Sequence, residues 1–189
     1  MNGTKEKMAQ AFKRLVLKKP FQKITISDIA KESAMTRENF YYHFRDKYDI
    51  LRWIFDREVA SHLPADEESF DEWIRGLFEN TARDYKYHRR IVKSLEPEDI
   101  KNVLYPLFEN RVRIMVEESI DDSVWNLRQE KEDFVVDFFT DAFLGFYIHY
   151  VQENENPDID ILETGLEFLF DQFLSFVRNS KDENEEQEI

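Results

Sequence analysis

The sequence predicts an all-α protein, and three observations support that fold class. The chain has only 4 Gly and 5 Pro in 189 residues, so little interrupts its helical stretches. Apolar residues recur at helical spacing along most of its length, and short runs of β-branched residues are scarce. A hydrophobic fraction of 42% is ample for a core.

The first helix is predicted over residues 4–18. Its apolar positions form one stripe and should be core: Met8, Ala11, Phe12, Leu15 and Val16. Its cations lie off that stripe on what is predicted to be a solvated face, with phosphate contact as the alternative: Lys5, Lys7, Lys13, Arg14 and Lys18. Lys19-Pro20 ends the helix, because a proline disfavours the helical conformation of the residue before it.

Three helix starts follow. Thr25 is an N-cap residue with Asp28 three positions later, which is a pair similar to a capping box. After a short break at residues 33–35, Thr36 opens a second short helix and Asp46 a third. Two short helices joined by a tight turn are the layout of a helix-turn-helix.

The second short helix carries two different sets of side chains. Phe40 and Phe44 are four residues apart, so they should anchor the helix to a core. The remaining side chains fall on other faces, where they could contact base edges and phosphates: Arg37, Glu38, Asn39, Tyr41, Tyr42 and His43.

Residues 10–55 resemble the DNA-binding domain of TetR-family transcriptional regulators. The residues that carry the resemblance are Phe21, Ile24-Thr25-Ile26, Asp28-Ile29-Ala30, Thr36, Phe40-Tyr41-Tyr42-His43-Phe44, Lys47 and Leu51. Two positions depart from the family pattern. Ala34 stands where the family usually has Gly in the turn, and Glu38 stands where a small residue is common. A carboxylate at Glu38 is repelled by phosphate but can accept a hydrogen bond from cytosine N4.

The resemblance implies a role for each exposed residue of the motif. The residues expected nearest base edges are Arg37, Glu38, Asn39 and Tyr42. For Tyr42, packing on the adjacent helix is the alternative. The residues expected to contact phosphates, and so to set register rather than sequence, are Thr25, Thr36, Tyr41, His43 and Lys47.

The charge distribution agrees with a DNA-binding N-terminal part at residues 1–63, here called the head, on an acidic remainder at residues 64–189, here called the body. The net charge of −14 argues against nucleic acid at first. However, residues 1–63 carry 13 Lys/Arg and 8 Asp/Glu, a net of +5, and residues 64–189 carry 13 and 32, a net of −19. This asymmetry would orient the head toward a polyanion.

The rest of the chain is predicted to be helical, with a break at residues 63–68 as the domain boundary. Pro97 suits the first turn of a helix, and Pro106, which lies inside the same helical pattern, should kink that helix or split it in two. The predicted helices span residues 46–62, 70–87, 90–95, 97–120, 131–153 and 158–177, with a loop at 121–129 and a break at 154–157. The helix at 131–153 carries apolar side chains around much of its circumference, so we expect it to be buried on more than one side.

The last two predicted helices carry more apolar surface than one core needs. We expect a homodimer that joins two such helices from each chain, as in the TetR family, and two-fold symmetry suits a palindromic operator. A large monomeric core is the alternative. The expected interface residues are Phe143, Leu166, Phe170 and Phe173.

The body resembles the TetR branch that includes regulators of dihydroxyacetone kinase operons. The similarity lies in residues 138–157, 46–49 and 53–54. Polar-tipped side chains on its predicted helices are weak candidates for a small-molecule pocket: Tyr85, Tyr87, His88, Arg111, Tyr147 and His149. The alternative for each is a surface position with its own hydrogen bond.

No chemistry beyond binding is expected. The chain has no Cys, no Gly-rich phosphate loop and no nucleophile elbow, so we expect no enzyme activity, no cofactor and no metal. Its four His lack helical metal spacing, although His62, His88 and His149 could meet in space. The first ten residues are polar and no run of about 18 apolar residues appears, so we expect a cytoplasmic protein without a membrane span.

The expected organisation has three parts. These are a DNA-binding domain at residues 1–47, an effector-binding and dimerisation domain at 48–179 with a connecting helix at 48–63, and a disordered acidic tail at 180–189. The expected function is a DNA-binding regulator, a repressor that a small-molecule effector releases. The alternative is a regulator whose body binds a protein co-regulator and which activates.

Overall fold

The structure is a computed structural model that describes residues 2–58, 70–119 and 129–153, and positions 160, 164–166, 168, 169 and 172 of the segment that follows. Within these ranges every regular element is helical, as the sequence predicted. The helices are α1 (Asn2–Lys18), α2 (Ile26–Glu32), α3 (Arg37–His43), α4 (Lys47–Glu58), α5 (Phe70–Arg83), α6 (Tyr85–Val92), α7 (Pro97–Val103), α8 (Tyr105–Ser119) and α9 (Gln129–Glu153), with a 3-10 turn at Phe21–Lys23.

The head consists of α1 to α3 and the start of α4 around an aromatic core. Phe12, Phe21 and Phe40 are fully buried, and the rings of Phe12 and Phe21 meet edge to face at 6.1 Å between centroids. The five predicted stripe residues of α1 are all buried. The amphipathic pattern of α1 therefore places the helix correctly on its neighbours α2, α4 and α6.

The body helices differ from the prediction at one boundary. A single helix was expected over residues 70–87, but α5 ends at Arg83 and α6 begins at Tyr85. Asp84 makes the break with φ −126° and ψ 39°, although no Gly or Pro marks the position. The two prolines behave as predicted, because Pro97 opens α7 and Pro106 lies in the first turn of α8 beyond a break at Leu104.

The longest described helix, α9, is buried on one side only within a single chain. Val136, Leu144 and Tyr147 are buried, whereas Phe134 and Phe138 are 70% and 59% exposed. Burial of the opposite face stays a prediction that rests on the expected dimer. The segment Asp133–Glu153 is long and apolar enough to cross a membrane, a test that core helices of soluble proteins also meet.

Several predictions fall outside the described residues. They concern the end of the connecting helix and the break that follows it, the loop at 121–128, the break at 154–157, the side chains of Phe170 and Phe173, and the acidic tail.

Candidate nucleic-acid interface

The turn between α2 and α3 is closed by backbone hydrogen bonds that need a left-handed residue. The amide of Met35 donates to the carbonyl of Ala30 at 2.8 Å, and the amide of Ala34 donates to that of Lys31 at 3.2 Å. This pattern is a Schellman motif, and its left-handed position usually holds glycine. Ala34 has φ 55°, so its side chain adds strain of about 1 kcal/mol to the turn.

Both short helices begin at the predicted caps. The Thr25 hydroxyl accepts from the amide of Asp28 and the Asp28 carboxylate accepts from the amide of Thr25, which completes the capping box. At the start of α3, the Thr36 hydroxyl accepts from the amide of Asn39 at 3.1 Å. These bonds satisfy amides that a helix start leaves unpaired, so they fix where α3 begins.

Two buried rings hold α3 on the head, as predicted. Phe40 is fully buried and Phe44 is 3% exposed, with 5.8 Å between their ring centroids. Phe44 also meets the ring of Trp53 on α4 edge to face at 5.9 Å. The rigid support of α3 therefore comes from its own i,i+4 pair and from α4.

The opposite face of α3 is open to solvent. Arg37, Glu38 and Asn39 are exposed, and Tyr41 and Tyr42 are 51% and 74% exposed. The packing role that was the alternative for Tyr42 is not observed, since its ring contacts only that of its neighbour His43 among the described aromatic pairs. All four residues predicted near base edges thus lie on one accessible helix.

Hydrogen bonds to its own backbone amide and to the Thr36 side chain lower the pKa of the exposed Glu38 carboxyl. A carboxylate there remains ionised at neutral pH. It would therefore be available as an acceptor and would repel phosphates.

The residues predicted to contact phosphates differ in their exposure and in the hydrogen bonds they already make. Tyr41 and Thr36 are exposed, and His43 is half-buried. The Thr25 hydroxyl donates to Asp28 at 2.6 Å, and the Lys19 ammonium lies 2.6 Å from the same carboxylate. The hydrogen bond from Lys19, followed by those from Thr25, lowers the pKa of Asp28 to about 2.

Lys47 is not the free cation that the prediction assumed. Its ammonium donates to the carbonyls of Phe21 and Gln22, each at 3.2 Å, and lies 4.4 Å from the centroid of the Phe21 ring. Burial lowers its pKa, while the nearby Asp99 carboxylate acts in the opposite direction. Lys47 therefore ties the start of α4 to the 3-10 turn, a role that its position in the sequence did not indicate.

A salt-bridge cluster joins the head to the body. Lys13, predicted to lie on a solvated face, is instead buried, with its ammonium 2.6 Å from Glu58 on α4 and 2.7 Å from Asp84 before α6. The same ammonium lies 4.8 Å from the centroid of the Tyr87 ring. Burial alone would raise the pKa of Glu58, but His88 and Lys13 lower it below its usual value.

Two of the predicted pocket residues meet in the body core. The hydroxyl of Tyr147 lies 3.1 Å from Nδ1 of His88 and accepts from Thr81 at 3.4 Å, and all three side chains are fully buried. Burial raises the pKa of Tyr147 well above its usual value. Nε2 of His88 lies 3.5 Å from Glu58, so this polar cluster reaches the salt bridges at the junction.

Tyr87, also predicted to line a pocket, is fully buried beside His88, with 5.3 Å between their ring centroids. The remaining predicted pocket residues lie elsewhere. The Tyr85 hydroxyl donates to the carbonyl of Val151 at 3.1 Å, and the buried Arg111 lies over the ring of Trp73. His149 is exposed on α9. The structure therefore brings together Tyr87, His88 and Tyr147 but not the whole predicted set.

The two predicted interface residues that the structure describes are core residues of a single chain. Phe143 and Leu166 are 7% and 8% exposed, and Phe170 and Phe173 fall outside the described side chains. Among the described residues of this part of the molecule, the exposed large apolar side chains are instead Phe134, Phe138, Phe168 and Leu169.

Comparisons with known proteins match both halves of the chain. Residues 10–54 match the family model of bacterial regulatory proteins, tetR family, and residues 68–172 match that of a transcriptional regulator C-terminal region. A segment of 74 residues is 31% identical to DhaS, the HTH-type dhaKLM operon transcriptional activator of Lactococcus lactis subsp. lactis. Another of 71 residues is 31% identical to the HTH-type transcriptional regulator TtgR of Pseudomonas putida.

These sequence matches cover only part of the chain, whereas the structural alignment described below covers nearly all of it. The aligned segments span 39% and 36% of this chain, and 39% and 34% of the respective relatives. The solved structure of the dihydroxyacetone kinase operon activator DhaS superposes with a TM-score of 0.58 over 95% of this chain and 96% of that one. Its sequence identity of 17% means that this likeness concerns the fold alone.

Proposed function

The chain belongs to the TetR family of DNA-binding transcriptional regulators, and from this premise we propose that it binds a palindromic operator as a homodimer through α3. The observation that carries the proposal is the exposed polar face of α3, held in place by the buried rings of Phe40 and Phe44. A short capped helix on a rigid support is what the major groove accepts.

The proposed roles on α3 follow from side-chain chemistry. Arg37 bonds guanine O6 and N7, Asn39 bonds adenine N6 and N7, and Glu38 selects cytosine, with Tyr42 beside them. Thr25, Thr36, Tyr41 and His43 bond phosphates. In this arrangement Lys47 stabilises the 3-10 turn through its hydrogen bonds to the carbonyls of Phe21 and Gln22. Its charge then lies near the phosphates without bonding them directly.

We propose that dimerisation uses the open face of α9 together with the segment that follows it. Four exposed apolar side chains, Phe134, Phe138, Phe168 and Leu169, support this assignment, and the rings of Phe134 and Phe138 stack at 6.5 Å between centroids. Exposed apolar surface of this kind marks contact with another chain. Phe143 and Leu166 are core residues of each chain, so in this proposal they support the interface helices without contacting the partner.

The proposed division keeps a DNA-binding domain at 1–47, an effector-binding and dimerisation domain at 48–179 and an acidic tail at 180–189. The two family matches, at 10–54 and 68–172, support a division into an N-terminal and a C-terminal part, although the first match extends past residue 47. We propose a cytoplasmic location, because the matching family consists of bacterial regulatory proteins and these must reach DNA in the cytoplasm.

Repression relieved by a small molecule is the proposed mode of regulation. The cluster of Thr81, His88 and Tyr147 supports it, because polar groups in an otherwise apolar body core could hydrogen-bond an effector. A second candidate is activation with a protein co-regulator, and the exposed apolar side chains of α9 favour it if the dimer leaves some of them uncovered.

Selection from a random duplex pool with the purified chain tests the proposed DNA binding. We expect enrichment of one palindrome, and an affinity for it that falls steeply with salt as several phosphates are neutralised per dimer. A reporter with this site at its promoter then separates lowered from raised expression. No enrichment together with a flat salt response would refute the proposed operator binding.

A further inference from the structure

A groove of about 890 Å³ lies where the head meets the body. One wall is the end of α1 with Leu17 and Pro20, and the other is one face of α6 from Tyr85 to Lys93. Small-molecule sites are clefts of roughly 300–1,000 Å³ with mostly apolar walls and a few placed polar groups. The groove has that size and also an apolar surface, because the stems of long cationic side chains line it.

The groove is strongly basic in an acidic body. Among the described residues that line it, four are cations, Lys86, Arg89, Arg90 and Lys93, and none is a carboxylate. Residues 64–189 carry only 13 Lys/Arg against 32 Asp/Glu, so this concentration of positive charge is unusual for the body. Among the described residues, Lys86, Arg90 and Lys93 have no acidic partner in an ion pair.

Hydrogen bonds between the two walls brace the groove. The Arg90 guanidinium donates to the carbonyl of Leu17 at 2.8 Å, and the Gln22 amide donates to the carbonyl of Ser94. At the other end, the Tyr85 hydroxyl donates to the carbonyl of Val151 at the end of α9. The cations are thus presented from a backbone that is fixed to both the head and the body.

We propose that this groove binds a small amphipathic anion. The apolar part of the ligand lies against Leu17, Pro20 and the ring of Tyr85, and its carboxylate or phosphate lies among Lys86, Arg90 and Lys93. The site is separate from the polar cluster around His88, and it exists whether or not the chain binds an operator. Because its occupant touches α1 and α6 together, binding is linked to the relative placement of head and body.

Calorimetric titration of the full chain at low salt tests this site. The probes share one chain length: octyl phosphate and octanoate as anions, octyltrimethylammonium as the cation and octanol as the neutral control. We expect one anion per chain, bound at least tenfold more tightly than the cation or the alcohol. The tighter of the two anions identifies the headgroup, and either order supports the site.

Paired variants assign the binding to the groove. Lys86→Ala with Lys93→Ala should lower the affinity for the tighter anion about twentyfold, because each exposed ion pair contributes up to about fivefold. The matched control replaces two exposed lysines outside the groove, Lys31→Ala with Lys101→Ala, and should leave the affinity unchanged.

Three results would overturn the proposal. Equal losses in the groove and control variants would mean nonspecific attraction to surface charge. Octanol bound as tightly as the anions would mean that charge is irrelevant. Groove variants that weaken duplex binding, yet leave anion binding intact, would assign these lysines to the DNA backbone instead.

Discussion

The ammonium of Lys13 lies 2.6 Å from the carboxylate of Glu58, so a salt bridge joins the first helix of the head to the end of the connecting helix. The side chains are 11% and 28% exposed, and Glu58 is also 3.5 Å from His88 in the body core. A charge held in such surroundings is costly when its partner is removed.

The first prediction concerns this pair. Lys13→Met and Glu58→Gln should each destabilise the chain by about 2 kcal/mol, less than for a fully buried pair because Glu58 is partly solvated. The double variant should lose less than the sum, as for coupled residues. Urea unfolding at one protein concentration measures this, with the exposed Lys7→Met as control. Additive losses would show that the two charges are not coupled.

Ala34→Gly should stabilise the head by about 1 kcal/mol. Glycine accepts φ 55° without the strain that an alanine side chain adds. The control is Ala30→Gly in the preceding helix α2, which should destabilise the head by a similar amount because Ala30 has ordinary helical geometry. Urea unfolding followed by tryptophan fluorescence reports both. A loss of stability in Ala34→Gly would contradict the left-handed geometry of the turn.

The low pKa of Asp28 predicts an acid-sensitive head. Its pKa is about 2 in the folded chain against 3.8 for an unperturbed carboxyl, so it stabilises the fold above about pH 4 and loses that effect as pH falls toward 2. The side chain is 34% exposed, which limits the effect to about 1 kcal/mol. NMR titration of the carboxyl, with Lys19→Met as the comparison, measures the shift. A pKa near 4 in the wild type would exclude the Lys19 bridge.

Phe138→Glu should yield monomers. The ring is 59% exposed on the open face of α9, so its replacement introduces a charge at the proposed interface without opening the core. The control Glu79→Gln changes an exposed residue of α5 and should remain dimeric. Sedimentation at micromolar concentration distinguishes the two states. A dimeric Phe138→Glu variant would place the interface elsewhere.

Local signals in the sequence predicted the head well. N-cap residues at Thr25 and Thr36 and the Phe40 and Phe44 pair each act through nearby backbone, so their effect can be predicted before the fold is known. Pro97 and Pro106 act in the same local way in the body. The family matches likewise agree with the resemblance found in residues 10–55.

Effects that depend on distant residues could not be predicted in the same way. Lys13 lies off the apolar stripe of α1, and its burial follows from carboxylates that are 45 and 71 positions away in the chain. Phenylalanines of α9 point to several sides of the helix. Composition alone therefore could not predict that Phe139 is buried and Phe138 exposed. Asp84 ends a helix without Gly or Pro, which is why one long helix was predicted there.

Selection from random duplexes with wild type, Arg37→Ala and Tyr41→Phe tests the central claim most directly. Arg37→Ala should relax the preference at one base pair of each half-site, a cost of roughly 1–3 kcal/mol there, because Arg37 is assigned to a base edge. Tyr41→Phe should weaken every site by a similar factor and leave the selected palindrome unchanged, because Tyr41 is assigned to a phosphate. A palindrome that is unchanged in Arg37→Ala but altered in Tyr41→Phe would contradict these roles for α3.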